Sequence, residues 1–127
     1  MITGLAGVIL WTSEERFPAL RDFYRDVLGL APRSERDRFI SFAWGATDPR
    51  SPRLTITVHS EVRGVASDAH RVMVNLEVDD LDATYARLTA LDVTFLRPPA
   101  TEHFGGRIST LQDPDGNLVQ LLEQPRS

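Results

Sequence analysis

The chain has 127 residues, a formal charge of −4 and no cysteine. That is one domain's length, enough to bury roughly two-thirds of the surface an unfolded chain exposes. Disulfides and thiolate chemistry are excluded, and an acidic balance with no run of Lys or Arg argues against a grip on nucleic acid or on anionic lipid.

Met1 to Trp11 lacks the basic start and long apolar centre of a signal peptide, and no apolar run approaches the ~20 residues of a membrane span, so a cytoplasmic protein without membrane contact is expected. Leu5 to Trp11 is short and rich in Val, Ile and Leu, which predicts a strand with Val8 and Leu10 on one face and Gly7, Ile9 and Trp11 on the other. Thr12 with Glu15 makes a capping-box pattern, and Phe17, Leu20, Phe23, Tyr24, Val27 and Leu28 recur at helical spacing. Pro18 is harmless only in a first turn, so the helix is expected to begin near Glu15 and to stop at Gly29. Arg33, Arg36 and Arg38 interleave with Glu35 and Asp37, as on a solvated strand or loop. Strand-like runs follow at Ala31–Arg36, Phe39–Trp44 and Leu54–His59, the last two separated by a Pro-containing loop at 45–53. In the third run Leu54, Ile56 and Val58 alternate with Thr55, Thr57 and His59.

Residues 61–70 are small and polar and read as a connector. Val72–Val78 predicts another strand, with Val72, Val74, Leu76 and Val78 on one face and Met73, Asn75 and Glu77 on the other. Asp79 or Asp80 can cap a helix with the stripe Leu81, Tyr85, Leu88 and Leu91. Three strand-like runs complete the chain: Val93–Leu96, ended by Pro98-Pro99, then Arg107–Gln112, then Leu118–Glu123. The last two flank Asp113-Pro114-Asp115-Gly116-Asn117, where Pro114 sets the first corner of a tight turn and Gly116 takes the positive φ that closes it. Gln120 then falls on the face of Leu118 and Leu122. Strand, helix and three strands recur twice, an internal repeat of two modules, about 4–60 and 71–124, within a single domain.

The run Phe23-Tyr24-Arg25-Asp26-Val27-Leu28-Gly29-Leu30 after the first strand, the Asp113–Asn117 turn before the last, and Phe104-Gly105-Gly106-Arg107 between them resemble the vicinal oxygen chelate superfamily of glyoxalases, bleomycin-resistance proteins and extradiol dioxygenases. The resemblance spans nearly the whole chain. It implies an α+β fold of two βαβββ modules in pseudo-twofold arrangement, with curved mixed sheets forming a cleft, helices outside, and a homodimer as the working unit. The strand faces agree with that expectation. In four strands one face is apolar and fit to lie under a helix (Val8 and Leu10; Leu54, Ile56 and Val58; Val74, Leu76 and Val78; Val119 and Leu121), while the other mixes apolar groups with a few polar ones, which is how a ligand pocket is composed.

The resemblance also implies where metal-dependent relatives carry their four ligands. Carried over, those positions fall near Gly7, Thr55, Met73 and Gln120. Gly7 has no side chain, Thr is a poor donor, and a Met thioether suits soft ions rather than those this family uses. No metal site is therefore expected, and no cofactor. A rebuilt divalent-metal site would have to draw on His59 and Glu77, each of which lies four residues, ~13 Å, beyond the expected ligand height on its strand. His70 and His103 read as surface residues, with Glu102-His103 a candidate lid element.

Two functions follow from these residues. The first is a metal-free module that binds a small organic molecule in the cleft through Trp11, Thr55, Thr57, His59, Met73, Asn75, Glu77 and Gln120, with Trp11 as a stacking wall. The alternative is a lyase, isomerase or dioxygenase with a non-standard metal site, or with Glu77 and His59 as acid and base.

Overall fold

The computed structural model describes residues 1–45 and 48–126, so residues 46 and 47 of the expected 45–53 loop lie outside the described residues. The chain divides into two compact units, one ending at Gly64 and the other beginning at Val65. Each contains a four-stranded mixed sheet and a helix, in the same order of elements.

The first unit contains β1 (Gly7–Thr12), α1 (Phe17–Asp22), β2 (Pro32–Arg36), β3 (Phe39–Ala43) and β4 (Arg53–Val58). The sheet order is β1-β4-β3-β2, with β1 parallel to β4 and the other pairs antiparallel. Leu10, Ile40, Phe42, Leu54 and Ile56 are buried, as are Phe17, Leu20, Phe23 and Tyr24 from the helical segment. Val8, expected on the same buried face, is 40% exposed. The reason is its place on the outer strand, since α1 lies against β4.

The helix start also departs from expectation. Thr12 is a buried strand residue paired with Val58, five residues before α1 begins. Ser13 holds the turn that leads into the helix: its Oγ and its carbonyl oxygen both accept from the Arg16 N–H, and the carbonyl also accepts from Phe17. Helix proper therefore begins at Phe17, with Pro18 in the first turn where its missing N–H costs nothing. After Asp22 the helix widens into a π-helical turn over Phe23–Val27, marked by Leu28 N–H donating five residues back to Phe23 at 2.8 Å. That extra residue turns Phe23 and Tyr24 inward together, their rings edge to face at 5.5 Å. Gly29 closes the segment at φ +79°.

The second unit contains a 3-10 turn at Ala69–Arg71, then β5 (Met73–Glu77), α2 (Leu81–Ala90), β6 (Phe95–Thr101), β7 (Arg107–Gln112) and β8 (Leu118–Glu123). Its order is β5-β8-β7-β6, with β5 parallel to β8. Of the two candidate caps Asp80 is the one used, accepting from Ala83 N–H at 3.0 Å, while Glu123 at the end of β8 accepts from Leu81 N–H at 2.9 Å. The core is Leu81, Leu88, Leu111, Val119 and Leu121, with Tyr85 against Phe95 at 4.6 Å between ring centroids. Leu91, expected in the helix stripe, is exposed at the C-cap, where the backbone has already left the helix. Val72, expected on a buried face, precedes β5 and is exposed.

Pro98-Pro99 do not end β6. The strand runs on to Thr101 because it is the outer strand and because Arg97 pairs with Thr110 and Ala100 with Ile108, so two residues oppose one. A bulge on an edge is where proline is tolerated. The residue opposite the bulge is Ser109, whose fully buried Oγ has no hydrogen-bond partner among the described residues.

The Asp113–Asn117 turn forms as read, with β7 and β8 as its arms. Buried Asp113 accepts through Oδ1 from the N–H groups of Asp115 and Asn117, each at 2.9 Å, and through Oδ2 from Asn117 Nδ2 at 2.8 Å. Gly116 sits at φ +83°. The Asp115 carbonyl accepts from Ala66 N–H at 2.8 Å, which ties the start of the unit to its last hairpin.

Two predictions follow from these polar groups. Asp113→Ala strips the turn of its acceptors and is expected to cost about 3 kcal/mol, whereas Ser109→Ala removes an unsatisfied hydroxyl and is expected to be neutral or stabilising by up to ~1 kcal/mol; urea unfolding of both variants checks the contrast. The second concerns pH. The hydrogen bond from Arg107 at 2.9 Å holds Asp82 below the usual carboxylate range, as Arg25 does for Asp26. A lowered folded-state pKa gives stability that is present above the unfolded value of about 3.9 and is lost as pH falls through the folded value. In Asp82→Asn, stability is therefore expected to fall less steeply below about pH 5 than in the parent, and equal slopes would contradict this.

Candidate functional site

Strand register decides which side chains share a face. In the first unit, β1, β4 and β3 align Ile9 with Thr55 and Ser41, and Trp11 with Thr57 and Phe39. These rows lie on the face opposite the buried Leu10, Ile56 and Ile40. Trp11 is 45% exposed, and its ring meets His59 edge to face at 5.1 Å. His59 lies just past β4, its N–H donating to the Thr12 carbonyl at 3.0 Å. Its Nδ1 accepts from Glu61 N–H at 3.1 Å, so a neutral His59 carries its proton on Nε2. Thr57 uses its hydroxyl proton on the Arg38 carbonyl at 2.9 Å, holding the β2–β3 turn where Arg38 takes φ +59°. Thr55 is half-buried beside buried Ser41.

In the second unit, β5, β8 and β7 align Met73 with Leu118 and Gln112, Asn75 with Gln120 and Thr110, and Glu77 with Leu122 and Ile108. This is the face opposite Val119 and Leu121. Gln120 Nε2 donates to Asn75 Oδ1 at 3.1 Å, and Gln124 Nε2 donates to Glu77 at 3.2 Å. Met73 is 41% exposed. Leu118, expected as an open wall, is buried together with Thr110 and Ile108. The pairing of Asn75 with Gln120 was not legible from sequence, because it depends on how β5 registers against a strand 45 residues away.

The four positions implied for a metal do not fit one. Gly7 lies so close to β4 that a Cβ there would stand 2.2 Å from the Arg53 carbonyl oxygen. Thr55 offers a neutral hydroxyl and Met73 a thioether, and Gln120 spends one amide N–H on Asn75. Among the described residues, no group of three or more His, Asp or Glu side chains is placed to hold a metal ion.

His70 is exposed in its 3-10 turn. His103 is exposed in the β6–β7 loop, edge to face with Phe104 at 6.0 Å, and Gly105 there takes φ +93°. Glu102 pairs with Arg97. A groove of about 580 Å³ missed in the sequence lies at the start of α1, lined by Ser13, Glu15, Arg16, Ala19, Val62 and Arg63 among others. It contains none of the expected ligand contacts, and no spacing signal would have joined residues 13–19 to 62–64.

The element order, the two mixed sheets and the turn before β8 define a class, and comparison with known proteins gives it a name. The Glyoxalase/Bleomycin resistance protein/Dioxygenase superfamily profile matches residues 15–121, and the chain belongs to that superfamily. Solved structures with the same fold include a superfamily member from Sphaerobacter thermophilus, 24% identical with a TM-score of 0.70 over 97% of this chain and 98% of its own. A glyoxalase/bleomycin resistance protein/dioxygenase from Nocardioides is 20% identical with a TM-score of 0.69, covering 100% and 87% of the two chains. A glyoxalase-related enzyme from Fulvimarina pelagi is 18% identical with a TM-score of 0.71 over 97% and 89%. No curated protein matches the chain. No helix among the described residues is long and apolar enough to cross a membrane.

The close approach at Gly7 makes the first of the four positions a packing position. Gly7→Ala is expected to lose about 1–3 kcal/mol through forced separation of β1 from β4, and Gly7→His is expected to lose at least as much without gaining metal. Thermal unfolding with and without added Zn²⁺ or Ni²⁺ measures both.

Proposed function

We propose that this chain is a small-molecule-binding member of its superfamily that works without a bound metal, taking an organic molecule against the sheet faces its own helices leave uncovered. The observation that carries the reading is the donor set at the four expected ligand positions, a glycine, a threonine, a methionine and an amide. It cannot compete with water for a divalent ion. In the first unit exposed Ile9 and Trp11 with Thr55, Thr57 and His59, and in the second exposed Met73 with Asn75, Glu77 and Gln120, support binding, because apolar surface with a few placed polar groups suits an organic ligand. Acid–base chemistry as a lyase or isomerase fits less well, since His59 Nδ1 already accepts from Glu61 and Glu77 already accepts from Gln124.

The working unit in this reading is a cytoplasmic homodimer. β1 and β5 are each an outer strand of their sheet, and they and their flanks carry exposed Val8, Val72 and Met73, edges that a second copy would cover.

In a Trp44→Phe variant, Trp11 is the only indole, and its emission should change saturably for at least one class in a panel of small aromatic metabolites and antibiotics. Flat titrations throughout would reject the binding reading. Elemental analysis after purification without chelators should find metal well below one equivalent per chain. A full equivalent, lost on His59→Ala or Glu77→Ala, would replace this reading with a rebuilt metal site. Sedimentation equilibrium at the mass of one chain would reject the dimer.

A further inference from the structure

We infer that the Asn75–Gln120 amide pair is the specificity element of the second sheet's uncovered face and that it recognises ligands presenting a hydrogen-bond donor and acceptor side by side, as primary amides, lactams and ureides do. The inference rests on the binding reading above and adds the ligand's chemical class. Asn75 and Gln120 stand directly opposite one another on parallel strands and share one hydrogen bond of 3.1 Å, so each fixes the other's orientation. An amide side chain has two N–H donors and an oxygen with two lone pairs. With Gln120 Nε2 committed to Asn75 Oδ1, Gln120 presents its own oxygen and Asn75 its own NH2. Exchanging oxygen and nitrogen in both groups reverses the shared bond and leaves the same combination, one carbonyl beside one NH2. The pattern therefore does not depend on how either amide is oriented.

The surroundings favour such a ligand over water. The neighbouring rows place Met73, Leu118 and Gln112 on one side of the pair and Glu77, Leu122 and Ile108 on the other, with buried Thr110 beside Gln120 in its own row. Met73 is exposed while Leu118 and Ile108 are buried, and Glu77 already accepts from Gln124, so a planar ligand lying here covers apolar surface on both sides of the amide pair. A cis amide edge satisfies both free groups at once. An ester or a dialkylamide has no N–H to give, and leaves the free carbonyl unpaired beneath it, at the cost of one hydrogen bond.

The test uses the full chain, 15N-labelled, with benzamide, methyl benzoate and N,N-dimethylbenzamide as probes sharing a ring and a carbonyl. Side-chain NH2 resonances of Asn75 and Gln120 are assigned by their loss in Asn75→Leu and Gln120→Met. Benzamide is expected to shift both resonances and to bind about 10-fold more tightly than the other two probes, with that preference lost in either variant. Equal binding of the three probes, or a preference that survives both substitutions, overturns the inference while leaving small-molecule binding intact. Binding of none of them up to the solubility limit of benzamide overturns the inference and the binding reading together.

Discussion

The buried Asp113 carboxylate is the interaction on which the second unit depends. By accepting three N–H bonds from the residues that follow it, it fixes the length of the β7–β8 turn, and the turn fixes the register of β8 against its partners. A one-residue slip would exchange the two faces of β8 and carry Gln120 from the open face into the core under α2. β8 is the hub of its sheet, paired with β5 on one side and β7 on the other, so its register also sets which β5 residue Gln120 meets. The reach of the same strand extends to α2, whose first N–H is taken by Glu123. One carboxylate in a loop thus positions a helix start and the amide pair on the opposite face.

Sequence reading reached the parts governed by local chemistry. The Pro-Asp-Gly turn, the strand periodicities, a helix cap at Asp79 or Asp80 and the glycine stop at Gly29 are each decided within a few residues, and the chain carries those instructions in plain form. What it did not carry is whatever depends on a distant partner. Pro98-Pro99 read as a strand end because proline breaks a central strand, and only the placement of β6 at the edge makes it acceptable. Thr12 with Glu15 read as the start of the helix because the capping-box spacing fits, but Thr12 is the last paired residue of β1 and regular helix begins only at Phe17. The π turn at Phe23–Val27 has the same apolar spacing as ordinary helix, so nothing in the pattern announces it.

At the candidate site the division is similar. Which residues share the open face followed from alternation, and Trp11, Thr55, Asn75 and Gln120 fall on the faces assigned to them. What each side chain does there did not follow. Thr57 holds a turn, His59 accepts from the backbone through one ring nitrogen, and Gly7 marks a backbone contact too close for any side chain. Of the four positions implied for a metal, Gly7 has a packing role against β4 and Gln120 a pairing role with Asn75.

The two prolines of β6 have an effect beyond shaping the bulge. An outer strand offers a ladder of free N–H and C=O groups to any chain that approaches in extended form, and such pairing is how folded proteins begin to aggregate. Pro98 and Pro99 have no N–H to donate, and the register shifts between Arg97 and Ala100. An incoming strand would find the ladder broken at its middle. β6 is therefore a closed edge, protected against self-templated assembly by the residues that, from sequence, had looked like its end.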